Sequence, residues 1–539
     1  MLRRHARHAL ATLLALAALG LGVGLAAAPR VRTPLPRLPV EGSLAYEVRD
    51  AESGELIPAK LTLVGAAGSH DPEFTRGDIG RPEDGAVLAY NRVFSLTGVG
   101  VHRVPFGTYD VHVSRGPEWT KVVVPKLKID RKPAEIRIEL KHVVDTTGWI
   151  SADFHVHAAG SADSRVPMRE RVFEFVSDGV EIITSTDHNV VSDYGPAIQE
   201  AGAGKYLASL IGDEVTTAGW GHFGAFPLPQ QLTSAGHGAV QVRGRTAAAI
   251  LRGLREQVPG ALINVHHPRL DPGVGYFLIG RFDDATDTAR TPGFSFDFDA
   301  LEVMNGYQDP DRRSVDRTVA DWFALLNHGH LVTATGNSDT HHLTYNLGGY
   351  PRNYVYLDED RPELVTPAAI ARSVRERHVL ITTGPFVRLR VGGGRIGDIV
   401  PAKGGRAKVE IEVQAAPWVA VSRVTLYVNG REAKRYAVPP MPDAVRLRTT
   451  YDLSVSRDSW VAVRVDGDGF LTPVVGDGRR FAVRPFALTN PVFLDVDGNG
   501  AFDPPARHGA HAPPDRTPPA GIGTHATPPA AVPAGGHRP

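Results

Sequence analysis

The sequence predicts a multidomain protein in which a central α/β module, residues 147–386, lies between two β-sandwich modules, residues 41–146 and 387–488. In the two flanking segments, apolar residues alternate with polar ones at a period of two, which is typical of half-buried strands. In the middle segment, strand-like runs alternate with stretches of helical periodicity, which indicates α/β architecture. A chain of 539 residues is also too long for one compact core.

The composition limits the chemistry that the protein can perform. Lys and Arg total 59, as do Asp and Glu, so the formal net charge is +0. No overall basic field therefore favours nucleic acid as a partner. The chain contains no cysteine, which excludes disulfides, thiolate ligands and a cysteine nucleophile. A metal site in this protein must use His, Asp and Glu.

Residues 1–28 are predicted to form a secretory signal, since a basic start precedes an apolar run and a small-residue cleavage site. Cleavage would leave no membrane span and would place the protein in the periplasm or outside the cell. The alternative is an uncleaved membrane anchor, because the run approaches the roughly 20 residues that a spanning helix needs. A proline-containing linker, residues 29–40, follows.

The first module, residues 41–146, is predicted to be a small antiparallel sandwich. Alternating segments such as 43–49 and 135–140 are separated by Gly, Pro and Asp. The turn segment 48–58 resembles that of carboxypeptidase-regulatory-like β-domains. For its role, the sequence leaves open a spacer, a substrate contact or a cell-wall contact.

The central module, residues 147–386, is predicted to contain helices with recognisable ends. Pro167, Thr246 and Thr366 stand where helical stripes begin, and Gly329 stands where one stripe ends. The apolar stripes themselves indicate a packed core.

Polar clusters follow the predicted strands of this module. His155 and His157 close the apolar run that begins at Ile150, and alternate residues of a strand point to the same face. Later strands are followed by further clusters, namely Asp187-His188, Asp213-Glu214, His222, His266-His267, and Asp339 with His341. Because catalytic groups converge from strand ends in barrel-like α/β folds, we expect these side chains to meet. Imidazoles and carboxylates are ligands for Zn, Mn, Fe or Ni.

Five motifs of the central module form an ordered set, namely DFHVH at 153–157, STDH at 185–188, GDE at 212–214 with GH at 221–222, NVHHP at 264–268 and GNSDTH at 336–341. Together they resemble the PHP (polymerase and histidinol phosphatase) superfamily, and in particular its CehA/McbA-type metallohydrolases. The resemblance covers residues 147–386. It implies a distorted (β/α)7 barrel with two or three divalent metal ions.

The resemblance also implies the metal ligands. They are His155, His157, Glu214 and Asp339 for the first ion, Glu214 as a bridge with His222 and His267 for the second, and Asp163, His188 and His341 for the third. His266 is an alternative to His267, which is preferred because the family's histidine directly precedes proline. His342 is expected to be a neighbour of the site and not a ligand.

Three residues are predicted to take part in catalysis. Glu214, as a bridging carboxylate, would hold two ions about 3.5–4 Å apart, and a water between them would be acidified to a pKa near ~7. Asp187 is predicted to orient a ligand imidazole or to shuttle a proton. Arg269, just beyond the His-Pro step, is predicted to clamp an anionic group of the substrate. The alternative for Arg269 is an ordinary ion pair.

The last module, residues 387–488, is predicted to be a second sandwich, with Asn429-Gly430 as a tight hairpin turn. Residues 489–503 form an Asp/Gly-rich candidate calcium loop, in which the spacing of Asp495, Asp497 and Asn499 matches the first half of an EF-hand.

The alternative for this loop is a plain Asx-Gly turn, because Ala506 stands where the bidentate Glu of an EF-hand would be. The tail, residues 504–539, is rich in Pro, Ala, Gly and His and is predicted to be disordered.

Together these features predict an exported metal-dependent hydrolase. It would use a hydroxide held between metal ions to cleave a phosphoester, or a carboxyl or carbamate ester or amide, in a small molecule that carries an anionic group. One alternative is a secreted, non-catalytic module that binds glycan and uses its metals for stability. A nuclease is the other alternative, and the balanced charge disfavours it.

Overall fold

The computed structural model describes residues 41–307, 312–344, 346–476 and 481–508. The predicted signal segment and linker lie outside these ranges, as does the predicted tail from residue 509 onward. Within the described ranges, no helix combines the length and the hydropathy that crossing a bilayer requires.

The first module consists of two sheets around one apolar core. Its strands are β1 Glu41–Asp50, β2 Ala59–Ala66, β3 Arg81–Glu83, β4 Ala86–Ala89, β5 Arg92–Ser95, β6 Val99–Pro105, β7 Gly107–Ser114, β8 Val122–Ile129 and β9 Ala134–Leu140. The sheet orders are β6-β1-β9 and β3-β4-β5-β2-β7-β8. Leu44, Tyr46 and Val48 are buried on one face of β1, in the same cluster as Leu61 of the other sheet. This shared core explains the period-two pattern.

The pairing within this module differs from the predicted antiparallel sandwich. Two sheets do share a core, but β1 runs parallel to β9, from Leu44 opposite Ala134 to Asp50 opposite Leu140. Parallel neighbours need a long crossover connection. Here most of the chain between β1 and β9 supplies that connection and forms the second sheet.

The central module alternates strands and helices in part. Its elements are β10 Trp149–Val156, α1 Met168–Ser177, β11 Ile182–Ser185, α2 Gly195–Glu200, β12 Ala208–Leu210, β13 Asp213–Thr216, β14 His222–Phe226, α3 Ala247–Gln257, β15 Leu262–Val265, α4 Tyr276–Ile279, β16 Phe282–Asp283, β17 Thr288–Ala289, β18 Ala300–Asn305, α5 Arg313–His328, β19 Thr333–Asn337, β20 Arg352–Tyr356, α6 Pro367–Arg375 and β21 Val379–Thr382.

The predicted helix ends are confirmed. Pro167 directly precedes α1. The side chains of Thr246 and Thr366 each accept the amide hydrogen of the third residue beyond them, which satisfies a donor at the helix start. Gly329 ends α5 with φ 93°, a left-handed conformation that glycine adopts without strain.

The predicted (β/α)7 barrel is not present as one continuous sheet. The central strands divide between two sheets, one containing the run β12-β11-β10-β20-β21 and the other with the order β13-β14-β15-β18-β19. In addition, β13 pairs antiparallel with β14, and β14 pairs antiparallel with β15. A (β/α)7 barrel requires parallel neighbours throughout, so the central module is better described as a mixed α/β, two-sheet structure.

The two central sheets are connected by isolated bridges. Val156, at the end of β10, pairs with Thr340 just beyond β19, and His188, beyond β11, pairs with Glu214 on β13. The amide of Asp339 also donates to a carbonyl of β10 at 2.9 Å. The sheets therefore meet at the polar motifs that the sequence analysis singled out.

The last module shares a sheet with the central one. Its strands are β22 Phe386–Val391, β23 Gly394–Arg395, β24 Ile399–Pro401, β25 Arg406–Gln414, β26 Arg423–Val428, β27 Arg431–Ala437, β28 Val445–Ser454, β29 Ser459–Asp466, β30 Phe486–Thr489 and β31 Val492–Asp495. One sheet has the order β23-β22-β25-β28, but β30 pairs with β21, so the remaining strands extend a central sheet. The last module is thus not a separate sandwich, because only the sheet β23-β22-β25-β28 consists of its own strands alone. The predicted hairpin is confirmed, with Asn429 and Gly430 at positive φ between β26 and β27.

A buried ion pair joins the first module to the central one. Nζ of Lys60, on β2, lies 2.5 Å from Oδ2 of Asp178, and neither side chain has exposed area. The hydroxyl of Tyr350 donates to the other oxygen of Asp178 at 3.2 Å. Burial lowers the pKa of Lys60, while the charge of Asp178 opposes that shift. Loss of one partner would leave an uncompensated charge in the interior.

We expect Lys60→Ala to destabilise the protein by about 3–5 kcal/mol, because Asp178 stays buried without its counter-charge. Thermal melting followed by circular dichroism measures the effect. The matched control is Lys132→Ala at an exposed position, which should leave the melting temperature unchanged. Equal melting temperatures for the two variants would contradict the expectation.

Candidate metal centre

The candidate metal centre lies where the two central sheets meet. His155 on β10 and His157 directly after it are completely buried. Their ring centroids are 5.1 Å apart, because alternate residues of a strand point to the same side. Glu214 on β13, also completely buried, faces them from the second sheet.

The carboxylate of Glu214 is the middle of the cluster. Within the described chain, six histidines place a ring nitrogen 2.7–3.6 Å from one of its oxygens, namely His155, His157, His188, His222, His266 and His267. These histidines come from both central sheets and from the segments that follow their strands. The buried carboxylate of Glu214 therefore lies where side chains from both central sheets meet.

Asp339 faces two of the same rings. Its Oδ1 lies 3.1 Å from Nε2 of His155 and 3.2 Å from Nε2 of His157. Its backbone has φ 52°, a left-handed conformation that residues other than glycine rarely adopt. Strain of this kind clusters at functional sites, where surrounding contacts hold the residue in place.

Asp163 lies at the open side of the cluster. Its Oδ2 lies 2.9 Å from Nε2 of His188 and 3.2 Å from Nε2 of His341. Half of the Asp163 side chain is exposed, whereas the Glu214 side chain has no exposed area. Asp163 is therefore the carboxylate of the cluster that solvent reaches most easily.

All nine predicted metal ligands lie in this cluster, although their grouping differs in part from the predicted sets. Ligand atoms that lie within 4.8 Å of one another belong to His157, Asp163, His188 and His341; to His155, His157 and Asp339; to His155, Glu214 and His267; and to His188, Glu214 and His222. The three residues predicted for the third ion are together. His222 and His267 fall into separate groups, and Glu214 is common to both, as a bridging carboxylate must be.

The spacing of these atoms suits shared metal ions. Ligand atoms about 2.1 Å from a tetrahedral ion stand roughly 3.4 Å from each other. The observed N···O distances include 3.0 Å from His155 to Glu214 and 3.4 Å from His267 to Glu214. Nε2 of His155 and of His157 is buried, and among the described residues neither atom makes a hydrogen bond of good geometry despite the nearby carboxylates. Leaving a buried polar atom unsatisfied is costly, so this donor set fits divalent ions.

In the metal-free protein, the cluster carries strongly shifted pKa values. Burial alone would raise the pKa of Glu214, but the charge of His155 holds it well below its usual range. Burial opposes the charged form of His188, yet Glu214 raises the pKa of that ring to about 10. Burial lowers the pKa of His157 to about 3. Protonated and neutral rings thus stand side by side around one carboxylate.

Glu302 on β18 belongs to the site, and the sequence analysis did not single it out. Its Oε1 lies 3.1 Å from Nδ1 of His155, and its Oε2 accepts the amide hydrogen of His267 at 2.7 Å. Burial would raise the pKa of Glu302, but His155 lowers it to about 2. A carboxylate behind a ligand imidazole fixes the orientation and tautomer of the ring. The signal available in the sequence was a lone acid inside the apolar run 300–304.

His266 lies behind the cluster. Its ring stacks on His155 with centroids 3.6 Å apart, and its Nδ1 is 2.8 Å from Oε1 of Glu214. A Cβ at Gly224 would come within 2.3 Å of its Nε2, so glycine is needed there. His267 shares a ligand group with Glu214, whereas His266 is in none of the ligand groups of the described chain.

The contacts of Asp187 and Arg269 do not support the predicted orientation of a ligand ring or clamping of a substrate, while proton transfer by Asp187 stays a prediction. Oδ1 of Asp187 accepts the amide hydrogen of Ala158 at 2.8 Å, and among the described residues no ring nitrogen is hydrogen-bonded to this carboxylate. Arg269 forms a two-pronged ion pair with Asp321, at 2.7 and 3.0 Å. The alternative interpretation of Arg269 as an ordinary ion pair describes it better than a substrate clamp, because its donors face a buried carboxylate.

The cluster opens into a cleft of about 380 Å³. The described residues that line it are Asp163, His188, Glu214, His222, His267, Leu270, Val274, Tyr307, Asp339, His341 and His342. This lining includes neither lysine nor arginine. Leu270 and Val274 give one wall an apolar character, so the cleft is polar at its base and apolar at one side.

A second, smaller group of carboxylates lies in the candidate calcium loop. Asp495 and Asp497 come within 4.8 Å of Asp458, which the sequence analysis did not connect with them. The oxygens of Asp495 accept the amide hydrogens of Gly498 and Gly500, at 2.6 and 2.9 Å. The side-chain oxygen of Asn499 likewise accepts a local amide hydrogen. These bonds are those of an Asx-Gly turn.

Comparisons with known proteins give distant similarities. No family model and no curated protein matches the sequence. The chain is similar to endonuclease Q, which was solved in complex with a 27-mer duplex substrate that has an abasic lesion at the active site. The sequence identity is 15% and the TM-score is 0.29, over 42% of this chain and 56% of that one. It is also similar to a provisionally assigned metal-dependent phosphoesterase from Bifidobacterium adolescentis, with 14% identity and a TM-score of 0.26 over 42% of this chain and 94% of that one. The chain thus aligns with just over half of endonuclease Q, and TM-scores this low do not establish a common fold.

We expect Glu302→Gln to weaken metal binding by about 10–100-fold, because the ring of His155 loses the carboxylate that orients it. Competition with a chromogenic Zn²⁺ chelator measures the affinity. Glu256→Gln, at an exposed position of α3, is the matched control and should leave the affinity unchanged. Identical affinities for the two variants would show that Glu302 does not support the ligand ring.

We expect Zn²⁺ binding to release protons and to tighten as the pH rises. The pKa of His188 is raised to about 10 in the metal-free protein, so its ring is protonated at neutral pH and must lose that proton to bind an ion. Calorimetry in buffers of different ionisation enthalpy counts the protons released. His188→Gln should release fewer. An affinity that stays constant from roughly pH 6 to 9 would contradict this account.

Proposed function

We propose that this protein is a metal-dependent hydrolase of the PHP type, as its sequence motifs imply. The single observation that carries the proposal is the buried carboxylate of Glu214, which six described histidines approach within 3.6 Å at the base of a cleft. A site that only stabilised a fold would rarely need one carboxylate shared between ligand groups. Here Glu214 belongs to two groups and lies at the lining of the cleft.

In the proposed centre, each carboxylate has a distinct position. Glu214 would hold a first ion together with His155 and a second together with His222, and Asp339 would hold the first ion together with His155 and His157. Asp163, with His188 and His341, would hold a third ion. Zn, Mn and Fe suit this mixture of imidazole and carboxylate ligands. When bound, such ions acidify a water molecule and polarise the substrate oxygen under attack.

The protein's own residues would organise the reaction around the ions. Glu302 holds the His155 ring from behind, and His266 braces Glu214 through a bond of 2.8 Å. Leu270 and Val274 form an apolar wall that limits water on one side of the substrate. Preorganised groups of this kind lower the reorganisation that the transition state would otherwise require.

The cleft favours a small molecule as substrate. A volume of about 380 Å³ is that of a pocket for a small ligand. Among the described residues, neither lysine nor arginine lines it, so the ions themselves would meet the negative charge of a phosphate or carboxylate. Nucleic-acid binding draws on Lys and Arg contacts to phosphates, and a formal net charge of +0 offers no such field. The bond cleaved would be a phosphoester, or a carboxyl or carbamate ester or amide.

We also propose that residues 1–28 direct export to the periplasm or the cell exterior, and that the modules are bounded at 41–146, 147–386 and 387–488. The support for export is the order of basic, apolar and small residues in the sequence. The support for the boundaries is the change from period-two to mixed periodicity and back again.

We expect the metal-loaded protein to hydrolyse at least one member of a panel of p-nitrophenyl phosphate, phosphodiester, acetate and carbamate esters. Chelation should abolish the activity, and added Zn²⁺ or Mn²⁺ should restore it. His155→Ala should lower kcat by a factor of about 10³ or more, because two ligand groups lose a member. The control is His70→Ala, at an exposed position, which should keep full activity.

The outcomes separate the candidate functions. Activity that survives both chelation and His155→Ala would eliminate the proposed mechanism. A protein that binds metal stoichiometrically but cleaves no ester would support the non-catalytic binding module. Cleavage of a duplex with an abasic site, with affinity that falls steeply with salt, would support a nuclease.

A further inference from the structure

One side of the cleft is formed by the loop 268–275, which follows the ligand candidate His267. Two aliphatic side chains of this loop, Leu270 and Val274, line the cleft together with the ligand candidates. Leu270 is 39% exposed, and among the large apolar side chains that are exposed in the described chain it is the one that lines the cleft. An isolated leucine on an ordinary surface needs no explanation, but this one borders the same space as the candidate metal centre.

The backbone of the loop is folded back on itself by hydrogen bonds. The amide of Leu270 donates to the carbonyl of His267 at 3.0 Å. The amide of Phe277, beyond the end of the loop, donates to the carbonyl of Pro268 at 3.0 Å. An apolar surface that is held in this way is preformed, so an apolar group can bind it with little loss of conformational entropy.

The loop is also fixed to the rest of the central module at both ends. Near its start, the guanidinium of Arg269 pairs with Asp321 on α5, at 2.7 and 3.0 Å. Near its end, the carbonyl oxygen of Val274 would lie 2.5 Å from a Cβ at Gly221, so only glycine allows this approach. Because Gly221 directly precedes His222, the loop packs beside a second ligand candidate.

The cleft therefore offers two kinds of surface to a bound molecule. Asp163, His188 and His341 contribute to one ligand group and line the cleft with polar atoms. Leu270 and Val274 provide an aliphatic surface on the loop that joins His267. In ligand pockets, a few polar groups fix orientation while apolar surface supplies affinity. Each methylene that is fully buried adds about four-fold to the affinity.

We propose that Leu270 and Val274 form a subsite for an alkyl group of the substrate, so that the protein prefers an ester with an apolar chain to its methyl analogue. The reacting group of the substrate lies at the candidate metal centre, and its alkyl group packs on the loop beside His267. The two residues determine specificity and do not touch the reacting atoms. The inference rests on the proposed hydrolase function and adds a substrate class to it, namely small esters that are polar at one end and aliphatic at the other.

The first test compares the Kd of methylphosphonate with that of n-butylphosphonate on the Zn²⁺-loaded full chain, by calorimetry. The two ligands have the same anionic head and differ by three methylenes. We expect the wild type to bind butylphosphonate about five- to twenty-fold more tightly, since full burial of three methylenes would give a factor of about sixty and the wall covers one side. Leu270→Asn and Val274→Thr should each lower this ratio by about two-fold or more.

The matched control is Leu364→Asn, at a leucine that is 48% exposed outside the lining of the cleft. It should keep the ratio of the wild type. Metal content, melting temperature and the Kd of methylphosphonate should stay at wild-type values in all variants. Damage to the fold or to the metal centre would weaken both phosphonates alike, so a ratio of two Kd values on one protein separates a subsite from a structural role.

The second readout is kcat/KM for paired p-nitrophenyl substrates that differ by the same three methylenes. The pairs are acetate with pentanoate, and the methyl with the butyl phosphodiester. In the class that the wild type cleaves, the longer member should have the higher kcat/KM, and Leu270→Asn should reduce that preference.

Failure of the inference and failure of the proposed function give different results. A wild type that cleaves an ester, with the same phosphonate ratio in Leu270→Asn as in Leu364→Asn, overturns the inference alone. A wild type that cleaves no ester, but whose preference for butylphosphonate is reduced in Leu270→Asn, supports the subsite and removes the hydrolase. A metal-loaded wild type that neither binds a phosphonate nor cleaves an ester overturns both.

Discussion

The burial of the Glu214 carboxylate is the constraint on which the rest of the centre depends. An ionised carboxylate without exposed surface is costly unless positive charge or hydrogen-bond donors surround it. Here the imidazoles of six described histidines surround it, and the ions proposed for the site would add to that charge. Because those histidines belong to two sheets, the sheets must converge at this one residue.

The convergence of the two sheets at Glu214 explains several irregular local features. The sheets are connected there by isolated bridges, one of them from His188 to Glu214 itself. On β14, Gly224 stands opposite Glu214, and its missing side chain leaves room for His266 behind the carboxylate. The left-handed backbone of Asp339 turns its carboxylate towards the same rings. The first module makes contact next to the same cleft, since Oδ1 of Asp78 lies 3.0 Å from Nδ1 of His342.

The site could be predicted from sequence wherever a polar residue closes or follows a strand-like apolar run. His155, Glu214 and Asp339 have that placement, and a strand's alternation determines the face on which such a side chain lies. Glu302 was missed because a single acid inside an apolar strand gives the same sequence pattern whether it supports a metal ligand or forms a buried structural ion pair. Arg269 was predicted to clamp the substrate because its ion-pair partner, Asp321 on α5, lies 52 residues away in the chain. No local sequence pattern reveals an ion pair over that separation.

The sequence by itself determined the residue types available for chemistry, the helix caps and the hairpin at Asn429-Gly430, and its motifs, through their resemblance to the PHP superfamily, implied the nine candidate ligands. Each of these depends on local periodicity or on spacing within a short motif. Only the tertiary structure decided that the central strands form two sheets, that β30 joins the last module to β21, and that Asp78 reaches His342. Such contacts join residues that are far apart in the chain, and their free energy depends on burial and charge that no local pattern contains.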